Sequence, residues 1–295
     1  MRGANNMAST QLLKSRIRSV KSTRQITKAM QLVAASKMRR AQEATKASAP
    51  YTRAARELLA ALSQHSSVKN HPLFVQRPVK TRLLIVIASD KGLAGAYNSN
   101  IVKAYVNELK LDGKAGIKNT TITIGRKASQ FVARIKDTEV LGAYEELPDR
   151  PDASELKAIL DSARTLFTDG KVDAVDLIYT DFVSSVVQVA KTIRVLPAGS
   201  NTDIETVARP DVTYEPSAEE VLDGVTYRLV GAQIFQALLD ARASEHSMRM
   251  MAMKNASDNA SDLVDDLTLE MNKARQSAIT QELAEISGGV EALND

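Results

Sequence analysis

The chain has 295 residues, 44% hydrophobic and 25% charged, so it holds enough apolar material to fold around a core. It has no cysteine, which excludes disulfides, thiolate catalysis and cysteine-ligated zinc, and its three histidines are too scattered for a histidine metal cluster. The longest apolar run, Leu83 to Ala88, is far shorter than the roughly 20 residues that a transmembrane helix needs. We therefore predict about two domains and no direct membrane insertion.

The net charge of +4 conceals a gradient along the chain. Residues 1–60 carry 13 basic residues against two acids, a net of +11. Residues 61–240 have a net of −2, and residues 241–295 carry five bases against ten acids, a net of −5. A basic beginning and an acidic end predict either that the two ends pair or that the basic end binds a polyanion.

The first predicted element is a long helix from about Ser9 to Ala49, a stretch without proline or glycine. At 1.5 Å per residue it is roughly 60 Å long, far more than the helices of most globular domains. Its apolar residues recur at spacings of three to six and form a thin stripe. They are Leu13, Ile17, Val20, Ile26, Met30, Val33 and Met38.

The middle of the chain alternates between strand and helix patterns. Thr81–Ser89 is a continuous apolar run, as expected of a strand buried on both faces. Further strands are predicted at Thr120–Ile124, Ala174–Thr180 and Val186–Leu196, and helices at Ser99–Leu111, Arg126–Ile135 and Ala153–Phe167. This alternation predicts an open, mostly parallel sheet with helices on its faces. Residues 61–216 are therefore expected to form an α/β domain inserted between terminal helices at 1–60 and 217–295.

The last predicted element is a helix from about Ser217 to Ser287, roughly 105 Å long, with Gly224 and Gly231 as possible breaks and Gly288-Gly289 as its stop. Its apolar stripe is narrow and consists of Leu263, Leu267, Met271, Ala274 and Ala278. Two such helices can pair along their stripes. A pair that is polar on most sides is expected to need a surrounding protein sheath.

Candidate chemistry in this sequence is weak. The turn Asp90–Asn98 contains Gly92 and Gly95 but fits neither a dinucleotide nor a Walker fingerprint, so we interpret it as a tight strand-to-helix turn. The basic first helix lacks any aromatic residue for base stacking, which disfavours nucleic acid as a partner. Four methionines at 248–253 are interpreted as packing residues and the lone His246 as a surface or packing residue, and no cofactor or metal is predicted.

Three stretches resemble the γ subunit of F-type ATP synthase, the central rotor shaft. They are Ile17–Gln42 (IRSVKSTRQITKAMQLVAASKMRRAQ), Ser89–Asn98 (SDKGLAGAYN) and Asn272–Val290 (NKARQSAITQELAEISGGV). In the third stretch, Gly288 and Val290 depart from the family pattern. Because the matches lie at both ends and in the centre, the resemblance covers essentially the whole chain.

The resemblance implies an α/β fold with a long antiparallel coiled coil of the terminal helices and an inserted Rossmann-like three-layer domain that binds no nucleotide. It implies a non-catalytic subunit that couples proton-driven rotation of the membrane c-ring to conformational change of the catalytic β subunits. The implied partners are the α and β subunits of the catalytic hexamer, the ε subunit and the c-ring. The implied location is the cytoplasmic side of a bacterial plasma membrane, or alternatively the matrix side of the mitochondrial inner membrane.

The resemblance also implies which residues contact a β subunit. Arg275 and Gln276 would bond a loop of an empty β subunit, and the fork of an arginine suits a carboxylate. Met30 would face an acidic region of β. The complete implied set is Met30, Arg249, Arg275, Gln276, Thr280 and Glu282.

Two other functions remain open from the residues alone. A coiled-coil scaffold would purify alone or as a homo-oligomer, and a dinucleotide-dependent enzyme would be stabilised by nucleotides in a thermal-shift screen.

Overall fold

The computed structural model describes residues 2–64, 68, 71–135, 138–148, 153–200 and 218–294. Within them the elements follow in the order α1 (Arg2–Gln64), β1 (Thr81–Ile87), α2 (Tyr97–Ala115), β2 (Lys118–Ile124), α3 (Arg126–Val132), β3 (Glu139–Tyr144), α4 (Ala153–Thr168), β4 (Ala174–Phe182), β5 (Gln188–Leu196) and α5 (Ala218–Asn294). The predicted strands and helices of the middle region are all present, with ends shifted by a few residues. Strand β3 is absent from the sequence prediction.

Helix α1 continues past the predicted end at Ala49 and contains Pro50 in its interior. A proline inside a helix removes one backbone hydrogen bond and usually ends or kinks the helix. Here the following turns carry Ala55, Leu59 and Leu62, which are buried in the main core. The burial of this apolar face stabilises the helix across the proline and extends it to Gln64.

Helix α5 is a single helix of 77 residues, so the predicted breaks at Gly224 and Gly231 and the predicted stop at Gly288-Gly289 are wrong. Gly231 is half-buried, and a Cβ atom built on it would lie 3.0 Å from Leu160 Cδ2 of α4. A glycine here permits close helix packing without ending the helix. Ser217, the predicted start of this helix, lies outside the described residues.

The five strands form one sheet in the order β3-β2-β1-β4-β5. Strand β1 pairs in parallel with β2 and β4, so that Ile85 lies between Ile122 and Leu177. Strand β3 adds in parallel beside β2, whereas β5 returns antiparallel from β4 through a short hairpin. The predicted open, mostly parallel sheet is therefore confirmed.

The two faces of the sheet are covered by different helices. Leu83, Ile85 and Ile87 face one side and join a core that includes residues of α1, α4 and α5. Leu84 and Val86 face the other side and pack with α2 and α3. This alternation follows from the two-residue period of a strand. The result is the predicted three-layer arrangement, in which parts of both long helices help to form an outer layer.

A buried charge cluster ties α2 to three strands. The Arg82 guanidinium on β1 contacts Glu108 at 2.8 Å and Asp112 at 3.0 Å, both on α2, and it also binds Asp176 on β4. Arg194 on β5 binds the same Asp176 at 2.6 Å. Burial opposes the charge on Arg82, but the three neighbouring carboxylates raise its pKa overall.

The chain divides into two compact units. The first, called here the helical unit, consists of Met1–Val33 and Met250–Asp295. The second, called the α/β unit, consists of Ala34–Arg249 and contains the sheet. The finer boundaries predicted after residues 60 and 216 stay a prediction.

Candidate functional site

In the helical unit, α1 and α5 pair in antiparallel orientation along a small apolar seam. Its buried members are Leu13 and Ile17 of α1 and Val264 and Leu267 of α5. Arg24, which follows the seam residues of α1, donates from Nη1 to Oγ of Ser261, which precedes the seam residues of α5, at 3.3 Å. Residue numbers therefore increase along α1 in the direction in which they decrease along α5, which confirms the predicted antiparallel pair.

The seam contains fewer residues than the predicted stripes. Ile26 and Val33 of the α1 stripe are exposed, as is Leu263 of the α5 stripe, whose place in the seam is taken by Val264. One narrow seam buries only one edge of each helix. Apolar residues next to that edge are therefore left on the outside of the pair.

Large apolar side chains also lie on the outside of the helical unit, forming what we call the outer apolar surface. Their exposed fractions range from 37% to 64%. They are Leu12, Ile26, Leu32, Val33, Met251, Leu263, Leu269, Ile279, Leu283 and Ile286. Three of them, Ile279, Leu283 and Ile286, follow each other at spacings of four and three on one side of α5, and exposed apolar residues grouped in this way are typical of a surface that is covered by another protein.

Four predicted site residues lie within this part of α5. Arg275, Gln276, Thr280 and Glu282 are all exposed, and Thr280 Oγ1 donates to the backbone oxygen of Gln276 at 3.0 Å. Positions 275, 276, 279, 280 and 283 share one side of a helix, because residues three and four apart are neighbours on its surface. The structure therefore brings these polar residues together with the exposed Ile279 and Leu283.

The other two predicted site residues have different surroundings. Met30 is half-buried on α1 in the helical unit. Arg249 belongs to the α/β unit, and its guanidinium donates to the backbone oxygens of Lys91 at 3.1 Å and Gly92 at 3.3 Å. It also pairs with Glu245 at 2.8 Å. Much of the hydrogen-bonding capacity of Arg249 is thus used within the chain.

The predicted strand-to-helix turn lies at the carboxyl edge of the sheet, where doubly wound folds bind their ligands. In this chain Asp90 Oδ1 accepts hydrogen bonds from the backbone nitrogens of Arg126 and Glu146, each at 3.0 Å. The amide at the start of α3 therefore binds a carboxylate of the chain itself. This arrangement favours a structural turn over a phosphate cradle.

Sequence reasoning missed Asp90, Arg242 and Glu245 as residues with specific roles. Arg242 and Glu245 are buried on α5 and form an ion pair of 3.2 Å. A signal was present, because both lie among the small and apolar residues of a stretch that includes Leu238, Leu239, Ala241 and Ala243. Charged residues are seldom buried unless they are paired.

Among the described residues, no group of three or more histidine, aspartate or glutamate side chains is arranged to hold a metal ion. In the same part of the chain, no helix has both the length and the apolar character required to cross a membrane.

Comparison with known proteins gives a consistent result. A family model described as ATP synthase matches residues 9–293. The ATP synthase gamma chain of Stenotrophomonas maltophilia is 41% identical over 288 residues, which cover 97% of this chain and 100% of that protein. The chain belongs to the ATP synthase gamma chain family. The gamma chain of Ralstonia nicotianae is similarly 40% identical over 292 residues, 97% of this chain and all of that one.

Solved structures agree with this assignment to the gamma chain family. A chain from the central stalk and c-ring structure of Tetrahymena thermophila mitochondrial ATP synthase has a TM-score of 0.62 and 29% identity, over 79% of this chain and 99% of that one. A chain from the Euglena gracilis mitochondrial enzyme has a TM-score of 0.71 over 97% of this chain and 95% of that one. Its identity is 16%, so it supports the fold alone. As a gamma chain, the protein is a non-catalytic central-stalk rotor subunit.

Proposed function

We propose that the helical unit turns inside the catalytic hexamer of α and β subunits and biases the three β subunits toward different conformations. The α/β unit would sit on the membrane c-ring and receive its proton-driven rotation, with an ε subunit as a further partner. The chain would then couple rotation to ATP synthesis and, in reverse, ATP hydrolysis to proton pumping.

The outer apolar surface is the observation that carries this proposal. A pair of helices with only a four-residue buried seam leaves ten large apolar side chains exposed to water. Burial of such side chains contributes about 25 cal/mol per Å² of apolar surface removed from water. A protein sleeve around the helical unit would supply this burial. Apolar contacts also suit a rotor, because they lack the directional preference that would hold it at one angle.

Polar residues on the same surface would supply the contact energy that favours a different conformation in each β subunit. To move a two-state site from 1:99 to 99:1 requires a differential contact energy of about 5.5 kcal/mol. Hydrogen bonds to charged groups contribute about 1.5–3 kcal/mol each, so a few of them suffice. Arg275 and Gln276 are exposed and adjacent, and we assign them to a loop of an empty β subunit. Thr280 and Glu282 extend this contact.

Met30 and Arg249 complete the proposed set for coupling. Half-buried Met30 has a flexible, polarisable side chain that adapts to a changing partner surface. Arg249 is also assigned to coupling, although its guanidinium is bound to Glu245 and to backbone oxygens of its own chain.

The decisive experiment replaces Arg275 in the assembled complex. The complete ATP synthase is reconstituted in vesicles, and Arg275→Ala is expected to lower the number of protons pumped per ATP hydrolysed by about half or more. The reason is that the substitution removes one charged hydrogen bond from the contacts that favour one β-subunit conformation over another. ATPase activity and ATP-driven acidification are measured on the same vesicles. Arg275→Lys keeps the charge but loses the two-pronged geometry, so an intermediate ratio is expected.

Lys273→Ala is the matched control. Lys273 is an exposed basic residue two positions earlier, about 200° around the helix from Arg275. It is expected to leave the pumping ratio unchanged. Equal ratios for Arg275→Ala and the unmodified complex would contradict the role of Arg275, and a complex that assembles and pumps without this chain would contradict the function.

For location, we propose a peripheral position on the cytoplasmic side of a bacterial plasma membrane, with the matrix side of the mitochondrial inner membrane as the alternative. The bacterial sources of the two gamma chains at 40% and 41% identity support the first. Release of the protein from membranes together with α and β subunits, under conditions that leave the c-ring in place, would test it.

A further inference from the structure

Three charged residues of α5 form a buried row next to the carboxyl edge of the sheet. We call Arg242, Glu245 and Arg249 the clasp. Their spacing of three and four places them on one side of the helix. Their side chains are only 9%, 5% and 12% exposed. Glu245 joins the row, since one carboxylate oxygen is 3.2 Å from Arg242 Nη1 and the other is 2.8 Å from Arg249 Nη1.

The two arginines of the clasp bind different loops of the sheet edge. Arg242 Nη2 donates to the backbone oxygen of Leu147, after β3, at 2.8 Å and lies 3.6 Å from Asp90 Oδ2, after β1. Arg249 donates to the backbone oxygens of Lys91 and Gly92 in the turn that follows Asp90. The clasp thus attaches α5 to the loops after two strands.

Asp90 extends these attachments. Its Oδ2 atom faces Arg242, while its Oδ1 atom accepts hydrogen bonds from the nitrogens of Arg126 and Glu146. One carboxylate therefore connects the loop after β1, the start of α3 and the turn after β3. A displacement of Arg242 would be passed to all three through Asp90.

Two serines between the clasp residues bind the remaining part of the edge. Ser244 Oγ donates to the backbone oxygen of Thr180 on β4 at 3.3 Å. Ser247 Oγ donates to the backbone oxygen of Ser185 in the β4–β5 hairpin at 2.7 Å. Within eight residues, α5 is hydrogen-bonded to loops or ends of four elements of the sheet edge.

Stability alone gives no reason for these charges to be buried. Replacing a buried ion pair or triad by apolar residues of similar size is often neutral or stabilising. What charged hydrogen bonds add is direction, since they weaken steeply when the donor angle departs from its optimum. Apolar contacts lack that angular dependence. A helix held by the clasp therefore resists turning about its axis against the sheet more strongly than a helix held by apolar packing.

We propose that the clasp is a torque-transmitting joint, in which Arg242 and Arg249 act as positioning residues that stop α5 from slipping against the sheet edge during rotation. The proposal rests on the proposed rotor function and assigns Arg249 a role through its own chain. Burial opposes the charge of Arg242, but the Glu245 carboxylate raises its pKa together with Asp90, so the guanidinium stays charged in the joint.

The test compares clasp variants in the reconstituted complete complex. Arg249→Ala and Arg242→Met are each expected to lower protons pumped per ATP by at least about twofold, and the double variant by more than either. The loss should increase with the opposing proton gradient, because slip grows with load. Arg228→Ala is the control, since Arg228 is an exposed arginine elsewhere on α5 and is expected to leave the ratio unchanged.

Two further variants separate torque transmission from folding. Asp90→Asn keeps an oxygen for the two backbone donors and places an uncharged amide nitrogen instead of a carboxylate oxygen opposite Arg242, so assembly should persist while the ratio falls. Arg249→Lys should restore part of the ratio lost in Arg249→Ala. The chain has no cysteine, so Arg249→Cys with Gly92→Cys can be joined by a short thiol cross-linker when the partner subunits are also cysteine-free.

Cross-linking is expected to restore the pumping ratio of the double-cysteine complex, and cleavage of the linker to lower it again. A ratio that does not depend on load, or that the cross-link fails to restore, would overturn the proposal. So would a lowered ratio explained fully by lost assembly. If Arg275→Ala lowers the ratio and the clasp variants do not, the clasp is refuted and the rotor function stands. If neither set changes it, the clasp and the role assigned to Arg275 are both refuted, and only a complex that pumps without this chain would contradict the coupling function.

Discussion

The two units of this protein bury their apolar residues on different scales. The α/β unit encloses a core of about thirty buried residues on one side of its sheet, whereas the buried seam of the helical unit has four. Among the described residues, the helical unit, which spans 79 positions, holds ten exposed large apolar side chains, whereas the α/β unit, which spans 216, holds nine. The difference teaches that the α/β unit is built to be stable by itself and the helical unit to be completed by a partner.

The largest effect is expected from the buried charges of the α/β unit. Arg82→Met should lower the free energy of unfolding by about 3–5 kcal/mol, because it leaves the Asp112 carboxylate buried without its basic partner and Asp176 with Arg194 alone. Denaturant unfolding of the full chain measures it. Lys103→Met, at an exposed position of α2, should change stability by less than about 0.5 kcal/mol. A loss below about 1 kcal/mol for Arg82→Met would indicate that solvent reaches this cluster.

A matched pair of leucines compares the two units directly. Leu59→Ala in the main core is expected to cost about 2–5 kcal/mol, because it leaves a cavity in a closely packed region. Leu267→Ala in the seam is expected to cost about 1 kcal/mol, since neighbouring side chains of a two-helix pair can move into the space. Both are measured by denaturant unfolding of the full chain. Equal costs would contradict the difference drawn between the units.

The smallest effect is expected from Asp240, which is buried on α5 in the α/β unit. Burial and, after it, the nearby Asp181 carboxylate raise its pKa to about 6, against Gln236, Lys191 and Arg56, which favour the charged form. Because the folded protein holds this proton more tightly than the unfolded chain does, stability should rise as the pH falls through about 6.

Between pH 7.5 and 5, this group should add roughly 1 kcal/mol to the free energy of unfolding. Asp240→Asn removes the titration, so the difference in stability between it and the unmodified chain should change by that amount over this range. The measurement is chemical unfolding at both pH values. A difference that is independent of pH would show that Asp240 does not titrate there.

The fold was predictable where local pattern decides structure. Strand β1 follows from the continuous run Leu83–Ile87, and the unusual length of α1 and α5 follows from the scarcity of proline and glycine. Strand β3 escaped because it is a partly exposed edge strand with Gly142 inside it. The predicted helix ends at Ala49 and Ser287 were wrong, because packing of the turns after Pro50 into the main core outweighs the local preference of that proline, and α5 continues through the glycine pair.

The site was predictable only in part. The exposed group around Arg275 was identified by a contiguous motif, and the structure adds its apolar neighbours Ile279 and Leu283. The clasp was not predicted because its residues bind partners that are far away in the sequence, as Arg242 binds Asp90. A single sequence shows that a charge lies in an apolar helix, but the partner that neutralises it is set by the fold.

The outer apolar surface has a consequence for how the cell makes this protein. A newly synthesised chain that folds before it binds a partner leaves the apolar side chains of these helices exposed, and exposed apolar surfaces promote aggregation. Supply of the chain therefore has to be matched to supply of the subunits that enclose it. Overproduction of this one polypeptide should yield aggregates or rapid proteolysis, whereas balanced co-expression should keep it dispersed.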